Sequence, residues 1–231
     1  MIIKELLYPR RCPVCDRPAP FGRLACEKCV GLLQKIKGAT CMKCGRKLSE
    51  SEDEYCYSCS REKHYYDRGF ALYEYSCINQ SIYRFKYSGR QEYADFYGKE
   101  MALGLGRVIL NIKPDIIIPV PLHSSKYKLR GYNQADLIGR KLAYYLDIPY
   151  SDSIIKRSRK TIPMKELDAS QRQINLKNAF IVCDNDVKLN KVLIIDDIYT
   201  TGSTVDSMAV ELKRKGVESV YFAALSIGAG M

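Results

Sequence analysis

The sequence predicts an α/β protein, a mainly parallel sheet with helices between its strands, preceded by a small cysteine-rich module. Three observations carry that reading. Four CxxC pairs crowd the first sixty residues, strand and helix patterns alternate from Asp115 onward, and one solid hydrophobic strand ends in "DDIYTTGST". At 231 residues the chain holds one α/β domain and a smaller module, and a hydrophobic content of 46% is enough for a real core.

The cysteine module comes first. Eight of the ten cysteines form the pairs Cys12/Cys15, Cys26/Cys29, Cys41/Cys44 and Cys56/Cys59, separated by ten, eleven and eleven residues. Two such knuckles place four thiolates tetrahedrally around one Zn²⁺, with backbone N–H groups aimed at the sulfurs. "CPVCDRPAPFGRLACEKC" and "CMKCGRKLSESEDEYCYSC" share CxxC-x-R at the start and CxxC at the end, which marks an internal repeat. Disulfides are the alternative, and they do not suit a cytosolic chain with this spacing. Two structural zinc ions are therefore expected. Consecutive and cross-braced pairings use the same eight ligands, and both stay open. With every position filled by cysteine, neither site has a place for substrate. About fifty residues poor in aliphatics need the metal to fold. Cys77 and Cys183 stand alone and read as small core residues. His64 reads as a solvent-facing histidine rather than a ligand.

The repeat stops near His64–Asp67, which divides the chain into residues 1–64 and 65–231. "RGFALYEYS" then reads as a strand. "INQSIYRFKYSG" reads as a helix closed by Gly89, and "EYADFYGKEMALGLGRVIL" as a second helix with core aromatics. From Asp115, "DIIIPVPL" is a buried strand and "NQADLIGRKLAYYL" a helix, followed by the short strands "SIIKRS" and "AFIVC". "VLIID", the helix "TVDSMAVELKRKG" and the strand "SVYFAALSI" complete the alternation. Ligands gather at the carboxyl ends of strands in such sheets, and Asp196 and Asp197 are expected at one of those ends.

Unpaired carboxylates cost a strand several kcal/mol when buried. Their neighbours suggest why they are there. Thr200, Thr201, Gly202, Ser203 and Thr204 form a strand-to-helix turn whose N–H groups and hydroxyls can wrap one phosphate at a helix N-terminus. A carboxylate pair beside such a cradle suits a sugar phosphate, with the anions accepting from ribose hydroxyls.

"VLIIDDIYTTGST" resembles the phosphoribosylpyrophosphate (PRPP) motif of type I phosphoribosyltransferases. The resemblance implies that fold and makes Asp196 and Asp197 the catalytic carboxylates, holding the ribose 2′ and 3′ hydroxyls. Thr200 to Thr204 would hold the 5′-phosphate, and Mg²⁺ would bridge pyrophosphate and ribose. The loop "PVPLHSSKYKLRGYN" would bind pyrophosphate through Lys126, Lys128 and Arg130, with Arg157, Arg159 and Lys160 closing as a lid.

Paired CxxC knuckles followed in order by "FKYSG", "PVPLH", "RGYNQ", "RQINLKNAF" and "DDIYTTGST" resemble the ComF family over nearly the whole chain. That resemblance implies a role in DNA uptake during natural transformation, acting on or with single-stranded DNA. Two positions depart from the expected patterns. Thr200 stands where phosphoribosyltransferases of 6-oxopurines carry an acid, and Met164 where relatives are expected to carry glutamine.

The formal net charge is +11 and points to polyanionic partners; two four-thiolate zinc sites would remove four charges and leave +7. Between His123 and Lys177, twelve Lys and Arg face five Asp and Glu, so most of the excess flanks the proposed site. Three functions follow. One is a Mg²⁺-dependent phosphoribosyltransferase. Another is a non-catalytic nucleic-acid-binding module with PRPP as effector, stacking bases on Tyr127 and Tyr132. The third is a zinc-ribbon adaptor for a helicase or another uptake component. No run of ~18 uncharged apolar residues and no signal peptide is evident, so the cytoplasm is the expected compartment.

Overall fold

A computed structural model describes residues 9–157, 179–183 and 188–228. Two short helices, α1 (Glu27–Val30) and α2 (Tyr57–Arg61), lie in the cysteine module. Then come β1 (Arg68–Glu74), α3 (Tyr75–Tyr87), α4 (Tyr93–Ile112), β2 (Ile116–Pro119), α5 (Ser124–Arg130) and α6 (Gln134–Leu146). The chain continues through β3 (Ile155–Arg157), β4 (Phe180–Val182), β5 (Lys191–Tyr199), α7 (Ser203–Arg214) and β6 (Ser219–Ile227).

Four strands form one parallel sheet in the order β1-β6-β5-β2. Continuous apolar runs such as "VLII" suit it, because both faces are covered. The strand period of two sorts β5 between those faces. Val192 and Ile194 pack with Val205, Met208, Ala209 and Leu212 of α7. Leu193 and Ile195 pack with side chains of α3, α4 and α6. β3 and β4 stand apart as an antiparallel pair rather than joining the main sheet.

The cysteine module wraps the β1 edge, with one knuckle pair on each face. Cys12 and Ala25 join the core with α3 and α4, while Cys41, Cys44 and Cys56 join the core with α7. Between them, Ile36 N–H donates to Leu72 O at 2.9 Å, and Lys35 bridges to Tyr73. An edge that would otherwise expose a row of unpaired backbone groups is thus covered. Gly45 makes the fit possible: it sits at φ +76°, and a Cβ there would lie 2.8 Å from both Gly69 O and Phe70 Cα.

Several expectations change. α3 begins three residues before Ile78, and Cys77 on its first turn is exposed rather than core. Cys183 is half-buried. The segment expected as a loop, Ser124–Arg130, is helical, because His123 Nδ1 accepts from Ser125 N–H and Gly131 closes the C-terminus at φ +78°. His64 is not solvent-facing; its side chain is 3% exposed against Asp206. Tyr132 is buried with its hydroxyl donating to Phe85 O, so it presents no face for stacking.

Candidate functional site

Pairing between β2 and β5 ends at Pro119 and Ile195. β5 runs on through Asp196 and Asp197 to Tyr199, held by β6 alone. The aspartates are therefore inside β5 rather than after it, on the stretch that overhangs the end of β2. Asp197 is 9% exposed, and Lys86 Nζ from the last turn of α3 lies 3.0 Å and 2.9 Å from its two carboxylate oxygens. Asp197 N–H donates to Asp196 Oδ1 at 2.8 Å. Burial, then the adjacent Asp197 carboxylate, push Asp196 from 3.8 up to about 7, with Lys86 and the backbone N–H groups opposing. A carboxyl poised there accepts hydroxyl hydrogens or a cation as its surroundings require.

Beyond Tyr199 the chain makes the expected turn. Thr200 and Thr201 are exposed, Ser203 and Thr204 half-buried, and Thr201 Oγ1 lies 2.7 Å from Ser203 Oγ. Gly202 caps α7 at φ +82°, where a Cβ would come within 2.5 Å of the Tyr199 hydroxyl. The turn's hydroxyls and the first N–H groups of α7 thus lie together at a helix N-terminus, where the dipole favours an anion.

Cations complete the site. Lys126 titrates lower because of burial first and then Arg157, Arg130 and Lys86, so these four charges share one neighbourhood. Burial also lowers Arg157, and Asp196 opposes that shift, which ties the arginine to the carboxylate pair. Arg130 donates to Gln134 Oε1 at 2.9 Å and to the Tyr87 hydroxyl at 3.1 Å. Lys128 is exposed on α5 and makes no ion pair among the described residues. Arg159, Lys160 and Met164 lie outside the described residues. Lys86 was not assigned a role by sequence reasoning; its signal was the cation of "FKYSG", at the end of a helix facing the aspartates.

The cysteines gather into two groups, Cys12, Cys15, Cys26 and Cys29, and Cys41, Cys44, Cys56 and Cys59. In each group the sulfurs lie within 4.8 Å of one another, which selects consecutive pairing over cross-bracing. The donor chemistry fits zinc. Burial pushes the Cys12 thiol up, but N–H groups of Cys15, Cys26 and Val14 outweigh it and bring it to about 7. Ionised Cys41 in turn raises Cys44 to about 12. Four thiols this close cannot all ionise unless a cation neutralises them.

Fold and sites together define a phosphoribosyltransferase-fold protein with two four-cysteine zinc sites. Residues 3–60 match the double zinc ribbon domain, and residues 134–227 match the phosphoribosyl transferase domain. Competence protein F of Haemophilus influenzae is 32% identical over 228 residues, covering 87% of this chain and 95% of that one. DNA utilization protein YhgH of Escherichia coli K12 is 30% identical over 220 residues, 93% and 96% of the two chains. Competence protein ComFC of Bacillus subtilis is 27% identical over 198 residues, 83% and 78%. The chain belongs to the ComF family of competence proteins.

Proposed function

We propose that this protein binds PRPP with Mg²⁺ and acts as a phosphoribosyltransferase working with single-stranded DNA during DNA uptake, in the cytoplasm. The carrying observation is the convergence of the Asp196–Asp197 pair, the Thr200–Thr204 turn and the cations Lys86, Lys126, Arg130 and Arg157 on one sheet end. Residues 1–64 form the ribbon module in this reading and residues 65–231 the transferase domain. The names of the relatives, competence and DNA utilization proteins, support the DNA connection.

In this reading Asp196 and Asp197 accept from the ribose hydroxyls, and Thr200 to Thr204 hold the 5′-phosphate. Lys126, Arg130 and Arg157 neutralise pyrophosphate. Mg²⁺ arriving with PRPP supplies further charge neutralisation, with Asp196 and Asp197 as the nearby acidic oxygens. Pyrophosphate leaves with the electron pair of its bond to C1, and a nucleophile from the acceptor forms the new bond there. The side chains contribute positioning and electrostatics. Tyr127, 52% exposed, and the tilted pair Tyr83 and Tyr87, with ring centroids 5.1 Å apart, give bases surfaces to stack on beside those cations.

A second reading rests on Thr200, which gives the turn no acid to act on a base. There PRPP is an effector of a DNA-binding protein that does not turn over. Calorimetric titration of PRPP with Mg²⁺ into zinc-loaded wild type and Asp196→Asn/Asp197→Asn tests the shared premise. Heat lost in the variant supports the site, and absence of binding to the wild type rejects both readings. Pyrophosphate release with single-stranded DNA present then separates enzyme from effector-bound module.

A further inference from the structure

The second cysteine group ends at Cys59, and five residues later the segment leaving it meets α7. His64 Nδ1 lies 2.7 Å from Asp206 Oδ2, and Tyr65 N–H donates to Asp206 Oδ1 at 2.7 Å. Asp206 is in the first turn of α7, directly behind Thr200–Thr204, and its own N–H donates to Gly202 O at 2.8 Å. Next in sequence, Tyr66 is fully buried, and its hydroxyl lies 2.7 Å from that of Tyr199, the residue that enters the turn. Tyr199 stacks on Phe222 at 4.7 Å, and its hydroxyl is the atom that requires glycine at position 202. From the other side of the ribbon, Arg46 donates to Gly228 O, and Gly228 N–H donates to Tyr199 O at 2.9 Å.

Both ends of the turn are therefore held by the second ribbon together with the segment 64–66 that leaves it, while Thr200 and Thr201 remain exposed. The first ribbon does something else. Its Asp16 accepts from Arg90 Nε at 2.9 Å and from the Tyr93 hydroxyl at 2.7 Å, on the opposite face of the sheet. A phosphate-binding turn gains affinity when its N–H groups and hydroxyls are ordered before the ligand arrives, because the ordering cost is not charged to binding.

We propose that His64, Tyr66 and Asp206 are positioning residues through which the second zinc ribbon pre-orders the 5′-phosphate turn. The ribbon is then part of the sugar-phosphate site without touching its ligand. The inference rests on the PRPP reading above and adds to it a selective prediction: disturbing this contact weakens recognition of the 5′-phosphate and spares that of pyrophosphate.

The test uses full-length, zinc-loaded protein and the variants His64→Phe, which retains a ring against Tyr66, and Tyr66→Phe, which removes one hydroxyl. Calorimetry measures ribose 5-phosphate and Mg²⁺-pyrophosphate separately, and hydrogen exchange follows the amides of 200–206 without ligand. Losing a charge-assisted hydrogen bond predicts about tenfold weaker ribose 5-phosphate binding for His64→Phe, with pyrophosphate within about twofold. Exchange at 200–206 should quicken in both variants while zinc content stays unchanged. Parallel losses for both ligands, or unchanged exchange, overturn the proposal. A wild type that binds no PRPP rejects the sugar-phosphate reading instead, and exchange still decides the mechanical link.

Discussion

Lys86 and Asp197, 111 residues apart, meet as an ion pair with Nζ 2.9 Å from Oδ2, their side chains 16% and 12% exposed. The pair fastens the end of α3 to the overhanging part of β5. It also gives the adjacent carboxylates a resident counter-cation before any ligand arrives.

Removing that cation takes from buried Asp197 its ion-pair partner, next to a second carboxyl at Asp196. Lys86→Met should lower unfolding stability by roughly 3 kcal/mol, the usual cost of deleting one partner of a largely buried pair. Adding Asp197→Asn should recover part of the loss, and a double-mutant cycle by denaturant unfolding measures the coupling. Strictly additive losses would contradict the pairing.

Asp196 makes stability depend on pH. Its folded value is raised from 3.8 to about 7, so the native state keeps a proton that the unfolded chain releases earlier. The resulting stability is complete below about pH 4 and is lost as pH rises through about 7. Asp196→Asn should flatten this slope and stabilise the unligated protein above pH 7, by on the order of 1 kcal/mol. Melting curves from pH 5 to 8 check the sign.

Zinc should bind at two ions per chain. Cys15→Ser at the exposed edge of the first group and Cys44→Ser in the buried second group should each reduce the content to one. Because each group is built into a different core, chelation should lower the melting temperature of the whole chain, since metal binding is coupled to folding. Metal analysis and calorimetric melting give both answers. An unchanged melting temperature after complete zinc removal would refute this coupling.

Tyr87 is 53% exposed, and the Arg130 guanidinium carbon lies 5.0 Å from its ring centre. If bases stack there, Tyr87→Ala should weaken binding of a short single-stranded oligonucleotide by about 1–3 kcal/mol. The remaining affinity should still fall steeply with salt, because the phosphate contacts persist. Fluorescence anisotropy at two salt concentrations separates the two contributions.

Much of this architecture follows from local pattern. Regular CxxC spacing specifies the eight metal ligands because a metal accepts few geometries. The run "VLII" specifies a buried strand, and "TTGST" a strand-to-helix turn. Each of these signals spans a dozen residues or so and reflects backbone or coordination chemistry that neighbours in sequence control. The consecutive zinc pairing, the helical Ser124–Arg130 and the burial of His64 and Tyr132 were decided elsewhere. So were Lys86 opposite Asp197 and Asp206 behind the turn. These depend on which surfaces meet when the ribbons fold around the β1 edge and α3 docks on the sheet. A lysine or histidine has the same local propensity whether it ends in water or against a carboxylate, so only the tertiary packing could assign those partners.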